Sequence, residues 1–179
     1  MSVFTNPASR SKEEAQGYTS AILDLLGDRN PLHVLQRTDK ALQKAVDGLS
    51  VRQISKREAP NKWSIKHVLQ HLADSEVVWA WRLRMVLAHD RPPLTGYDQD
   101  LWADRLGYAD VHAEDALNAF SVLRKSNIRL VKRASAEDLK RVGVHAERGE
   151  ESVEHMMRLY AGHDLLHLRQ IDRIRVAQK

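Results

Sequence analysis

The chain of 179 residues contains no cysteine. That excludes disulfides, thiolate metal ligands and a cysteine nucleophile. Any metal site must use His, Asp and Glu, and any thiol in the chemistry must come from the substrate. Long apolar runs are also missing, and none approaches the roughly 20 residues that cross a bilayer. The stretch MSVFTNPASRSKEEA has no apolar core of a secretory signal. A cytoplasmic protein with no membrane partner is expected. Only five prolines and eight glycines occur, and they fall mostly between periodic segments. No alternating apolar–polar strand stands out. Charge of one sign is not concentrated either: the net charge is +4, with bases and acids interleaved. The densest basic group, Arg169, Arg173 and Arg175, comes with no nucleic-acid-binding motif, so no nucleic-acid partner is expected.

Hydrophobic residues make up 42% of the chain and charged residues 29%, the balance of a globular domain with its own core. Helical periodicity predicts an all-α fold. One helix is expected from about Ser11 to Leu26. A second starts with Asn30 as N-cap and Pro31 in the first turn, and stops at Gly48 after about Asp47. Longer helices follow from about Ser64 to Ala88, His112 to Ala134, and Glu151 to Val176, with a loop through TGYDQDLWADRLGYAD. A repeat organises them. GLSVRQI before WSIKHVLQHL resembles RASAEDL before ESVEHMMRLY, each with a capping-box turn, Ser50 with Gln53 and Ser135 with Asp138. Two similar helix pairs imply a four-helix bundle.

Three polar residues interrupt the apolar face of the last helix. Val153, Met156, Met157, Tyr160, Leu168, Ile171 and Ile174 share that face with His163, Asp164 and His167. Buried polar groups need partners, and imidazoles at i and i+4 can share one metal ion. Hydrogen-bonded core histidines are the alternative. In the helix from Ser64, Glu76 lies within the apolar face and is expected to be paired. His71 lies on its flank, while His67 is expected to turn towards solvent. HDLLH also approaches the zincin pattern, but with Asp164 in place of Glu and no third ligand downstream. A third ligand would lie upstream. Asp164 is a candidate general base, a candidate orienter of an imidazole, or one half of an ion pair with an arginine. Trp63, Trp79 and Trp81 read as core and helix-interface residues. Gly162 costs a helix about 1 kcal/mol relative to alanine, which suggests a close helix approach there.

KWSIKHVLQHLADSE, YDQDLWA and GHDLLHLRQI, in that order, resemble the DinB-like superfamily of bacterial four-helix-bundle proteins. The similarity runs from about Pro31 to Val176. It implies a bundle domain over residues 30–179 and places residues 1–29 outside it, as a helical extension packed on the bundle or on a partner subunit. It also implies one divalent metal ion, zinc or nickel, held by His71, His163 and His167. Relatives include thiol S-transferases that use bacillithiol or mycothiol, and metal-dependent hydrolases or isomerases. Three neutral imidazoles leave open coordination positions, the pattern of a catalytic site. The expectation is a homodimeric metal-dependent enzyme, a thiol S-transferase or hydrolase acting on a small molecule. Asp164 is its candidate catalytic residue, and Tyr97 and Trp102 are expected to line the substrate pocket. A non-catalytic metal-binding stress-response protein is the alternative.

Overall fold

The computed structural model describes residues 12–178. The expected helix start at Ser11 and the stretch read as leader-free lie at least partly outside those residues. Helix α1 spans Lys12–Leu26 and α2 spans Pro31–Val46. Asn30 caps α2, its side chain accepting a hydrogen bond from the His33 N–H at 3.0 Å. A short α3 (Val51–Ser55) leads through a loop to α4 (Ile65–Ala88). Strand β1 (Pro93–Leu94), α5 (Gln99–Arg105) and α6 (Ala113–Arg133) follow, and then a short α7 (Ala136–Lys140), β2 (Val142–His145), β3 (Gly149–Ser152) and α8 (Val153–Val176). Both expected capping boxes form, at Ser50 with Gln53 and at Ser135 with Asp138.

The repeat is visible in three dimensions. In each half a long helix is followed by a capped single turn, a β-paired connection and another long helix. The connection is a lone bridge between Arg57 and Ser64 in the first half and the β2–β3 hairpin in the second. Helix α2 packs on α6 and α8, and α4 packs on the same two. Each half therefore contributes two helices that sit diagonally, and the lateral contacts join one half to the other.

Three expectations need correction. Strands exist: β1 pairs parallel to β2, and β2 antiparallel to β3. Each has only two to four residues, too short for an alternating pattern to register. The last helix begins at Val153, because Glu151 and Ser152 belong to β3. The long loop before α6 contains α5, which Asp98 caps through bonds from the Asp100 and Leu101 N–H groups. Gly143 is what lets the hairpin lie flat, since a Cβ there would meet Leu94 and Val86 carbons at 2.8 Å.

The core has two apolar clusters, one on either side of a polar layer. Leu35, Trp79, Leu83, Val131 and Met156 belong to the first. Leu42, Leu69, Phe120 and Ile171 belong to the second. Between them, Thr38, His71, Glu76, Arg124, Asn127, Asp164 and His167 are all buried, so every bundle helix contributes to the layer.

Helix α1 packs on α8, as the resemblance allowed. Gly162 makes the contact possible: a Cβ there would lie 2.3 Å from the Ile22 backbone oxygen. Gly162→Ala is expected to lower the thermal midpoint. Overpacking costs about 1–3 kcal/mol, against about 1 kcal/mol gained in helix propensity, and the obstructing atom is backbone that yields little. A raised midpoint in calorimetry would contradict this contact.

Candidate metal centre

His71 comes from the second turn of α4, and His163 and His167 lie one turn apart on α8. The bundle packing brings all three together. The Nε2 atom of His163 lies 3.0 Å from that of His71 and 3.1 Å from that of His167. One ligand atom from each residue falls within 4.8 Å of the others. Tetrahedral nitrogen ligands about 2.0–2.1 Å from a zinc ion stand roughly 3.3 Å apart, so the first two spacings are close to those of a metal-holding set. Among the described residues, no carboxylate joins the group.

The protonation chemistry agrees with that fit. Burial holds the His71 and His163 imidazoles well below the usual histidine range and brings His167 to about 4. Three neutral rings with converging nitrogens can offer their lone pairs to one metal ion. His167 Nδ1 lies 2.8 Å from Gln170 Oε1, which fixes the Nδ1–H tautomer and leaves the Nε2 lone pair facing inward. The Trp63 ring packs against His71 with centroids 5.0 Å apart.

Asp164 is engaged elsewhere. It accepts two bonds from the Arg124 guanidinium, and Thr38 Oγ1 donates to it at 2.7 Å. Arg124 also binds Glu76 at 2.7 Å, and Asn127 Nδ2 donates to the other Glu76 oxygen at 3.1 Å. Asp164 is thus half of a buried ion pair, one of the roles open to it from sequence, and its geometry does not support a general base. Glu76 is paired, as expected. Arg124, which the sequence reading does not single out, lies on the same stripe of α6 as Ala116, Phe120 and Val131. A lone arginine on an apolar stripe is the signal that could have found it.

His67 also needs correction. It is 5% exposed rather than turned to solvent. Its Nδ1 meets Ser64 Oγ at 2.7 Å and its Nε2 meets Arg57 at 3.3 Å, because the loop after α3 folds over the start of α4. It stays outside the triad, as expected. Of the tryptophans, Trp79 is fully buried and Trp81 is 64% exposed.

Two cavities flank the triad. His71 and His163 face an inner one of about 70 Å³, which Ser75, Tyr97 and Tyr160 also line. His167 faces an outer cleft of about 300 Å³ beside Trp63 and Arg173. Tyr97 therefore reaches the cavity wall. Trp102 lines neither cavity and instead packs behind Tyr97, with centroids 4.5 Å apart.

The buried histidines set an acid limit for the metal-free protein. His67, His145 and His167 all sit at about 4, chiefly through burial, and His71 and His163 lie well below the usual value. An unfolded histidine titrates near 6.5. As pH falls below that value, the unfolded chain binds protons that the fold refuses. Stability is therefore full above about pH 6.5 and falls as pH drops towards 4, by about 1.4 kcal/mol per unit for each such histidine. Urea unfolding of metal-free protein at pH 7.5 and 5 is expected to show a large drop in midpoint. Equal midpoints would contradict these neutral rings.

Comparison with known proteins places this geometry. The family model of the DinB superfamily matches residues 35–171. The chain belongs to the DinB superfamily. Two Oceanobacillus iheyensis relatives, both named as candidate metal-dependent hydrolases, are 26% identical over 140 residues and 27% identical over 130. The first match covers 78% of this chain and 81% of the relative, and the second 73% and 75%. Among solved structures, the fold is similar to that of YfiT from Bacillus subtilis, described as "a probable metal-dependent hydrolase with an unusual four-helix bundle topology". That match has a TM-score of 0.73 and 21% identity, and covers 80% of this chain and 84% of YfiT. The diagonal placement of each helix pair is how this DinB-superfamily bundle brings α4 and α8 side by side. No described helix is long and apolar enough to cross a membrane.

Proposed function

We propose that this chain is a metal-dependent enzyme of the hydrolase type, acting on a small molecule at a site where His71, His163 and His167 hold one divalent ion, zinc or nickel. The observation that carries the reading is the convergence of three neutral Nε2 atoms between two cavities, with no carboxylate closing the set among the described residues. When bound, such an ion supplies Lewis acidity there. The chain's own residues do the rest. Arg124, Glu76 and Asp164 fix the facing helices in register beneath the triad, and Gln170 orients His167. Tyr97 and Ser75, whose oxygens lie 3.0 Å apart, present hydroxyls at the cavity.

Thiol S-transfer is the second reading, favoured by the absence of cysteine, since no protein thiol competes for the ion. The two are separated by screening small esters, amides and activated electrophiles with and without low-molecular-weight thiols. Turnover without thiol supports hydrolysis, and strict thiol dependence supports transfer. In either case, chelation is expected to remove activity, and one equivalent of divalent metal to restore it. Activity indifferent to chelation would reject the proposal.

A further inference from the structure

The inner cavity has an electrostatic feature that the histidines do not explain. Its charged lining residues are Arg82, Arg148 and Glu151. Arg148 and Glu151 neutralise each other through a two-point contact, at 2.5 and 3.0 Å. Arg82 has no carboxylate partner among the described residues. It is 6% exposed, and one of its terminal nitrogens donates to the Thr95 carbonyl at 2.5 Å and lies 3.3 Å from His145 Nε2. Its Nε is buried and has no hydrogen-bond partner at all. A buried guanidinium with an unsatisfied donor is costly, and such a group in a native fold calls for an explanation.

We propose that Arg82, which lines the cavity and has no carboxylate partner among the described residues, is the recognition site for a carboxylate on the substrate. This rests on reading the cavity as the substrate site. The substrate class becomes a small monocarboxylate whose reactive bond lies towards His71 and His163, on the same cavity wall. One unmatched positive charge suits a carboxylate better than a phosphate dianion, and the planar guanidinium fork matches carboxylate geometry. The tyrosine hydroxyls of the cavity are held protonated by burial, Tyr97 above its usual value and Tyr18 and Tyr160 further still, so they act as donors to an anion.

The test is a titration of zinc-loaded, nitrogen-15-labelled protein with propionate, propionamide and inorganic phosphate, following the arginine Nε–H resonances. Propionate is expected to shift the Arg82 resonance saturably, and propionamide to leave it in place. Arg82→Gln and Arg82→Lys are expected to weaken propionate by about tenfold to a hundredfold, while Arg173→Gln, in the outer cleft, leaves it unchanged. The lysine variant guards against a folding defect in the glutamine variant, and the wild-type resonance needs neither. An unmoved Arg82 resonance, or equal affinity in wild type and both variants, would overturn the inference. Tighter, equally Arg82-dependent binding of phosphate would overturn the carboxylate assignment. Zinc content measured on the same samples separates this from the metal reading: a shifted Arg82 in protein that holds no zinc supports the carboxylate site and contradicts the metal site alone.

Discussion

Replacing His163 by alanine is expected to weaken zinc binding by at least about a hundredfold, while His67→Ala leaves it within a factor of about two. Loss of a mere supporting neighbour costs 10–100-fold, and His163 is more than that. Its Nε2 lies 3.0 Å from the His71 Nε2 and 3.1 Å from the His167 Nε2. His67 is buried too, at 5% exposed, but spends its nitrogens on Ser64 and Arg57. Competition with a chromophoric chelator measures both variants. Equal losses would mean that the histidines are not divided as the fold places them.

The second large effect is on stability. Arg124→Met is expected to cost about 3–5 kcal/mol, the usual penalty for breaking a buried ion pair by removing one partner. Arg124 is 1% exposed and joins α6 to α2, α4 and α8 through the Leu35 carbonyl, Glu76 and Asp164. Its ring contacts add to the loss, since the guanidinium lies 4.5 Å from the Phe120 centroid and 5.6 Å from that of Trp79. The penalty has a predictable pH dependence. Burial raises the Glu76 pKa, and Arg124 opposes that rise. Without the arginine the buried Glu76 carboxyl binds a proton more readily, so the gap between variant and wild type is expected to narrow from pH 8 to pH 5.5. The other histidine terms are common to both proteins and cancel in that difference, while His163, whose pKa Arg124 helps to lower, acts in the same direction as Glu76. Urea midpoints at the two pH values check it. A cost below about 1 kcal/mol would show that the polar layer does not hold the helices together.

Much of this was legible in the sequence, for definite reasons. Caps and breakers act within one helical turn, so Asn30, Ser50 and Ser135 mark their helix starts where the structure has them. The face of α8 follows from a 3.6-residue period, which already turned His163, Asp164 and His167 inward. The flank position of His71 singled it out over His67 on α4. What escaped depended on contacts between distant segments. The partner of Asp164 lies 40 residues away. The sheet joins residues 93–94 to 144–145 through backbone bonds that no side-chain pattern records. His67 is buried by a loop that periodicity on α4 cannot see. Trp102 was placed one layer too close to the cavity, because loop aromatics carry no period to show which way they face.

In the proposed site, three histidines from two helices hold one divalent metal ion. The most direct test of this claim is the metal content of the protein purified without a nickel column, read by inductively coupled plasma mass spectrometry. About one equivalent of zinc or nickel per chain is predicted, given the strength with which imidazole sites hold these ions, and it should disappear in His163→Ala. Less than about a tenth of an equivalent of any transition metal, in protein that also fails to take up added zinc, would contradict the claim.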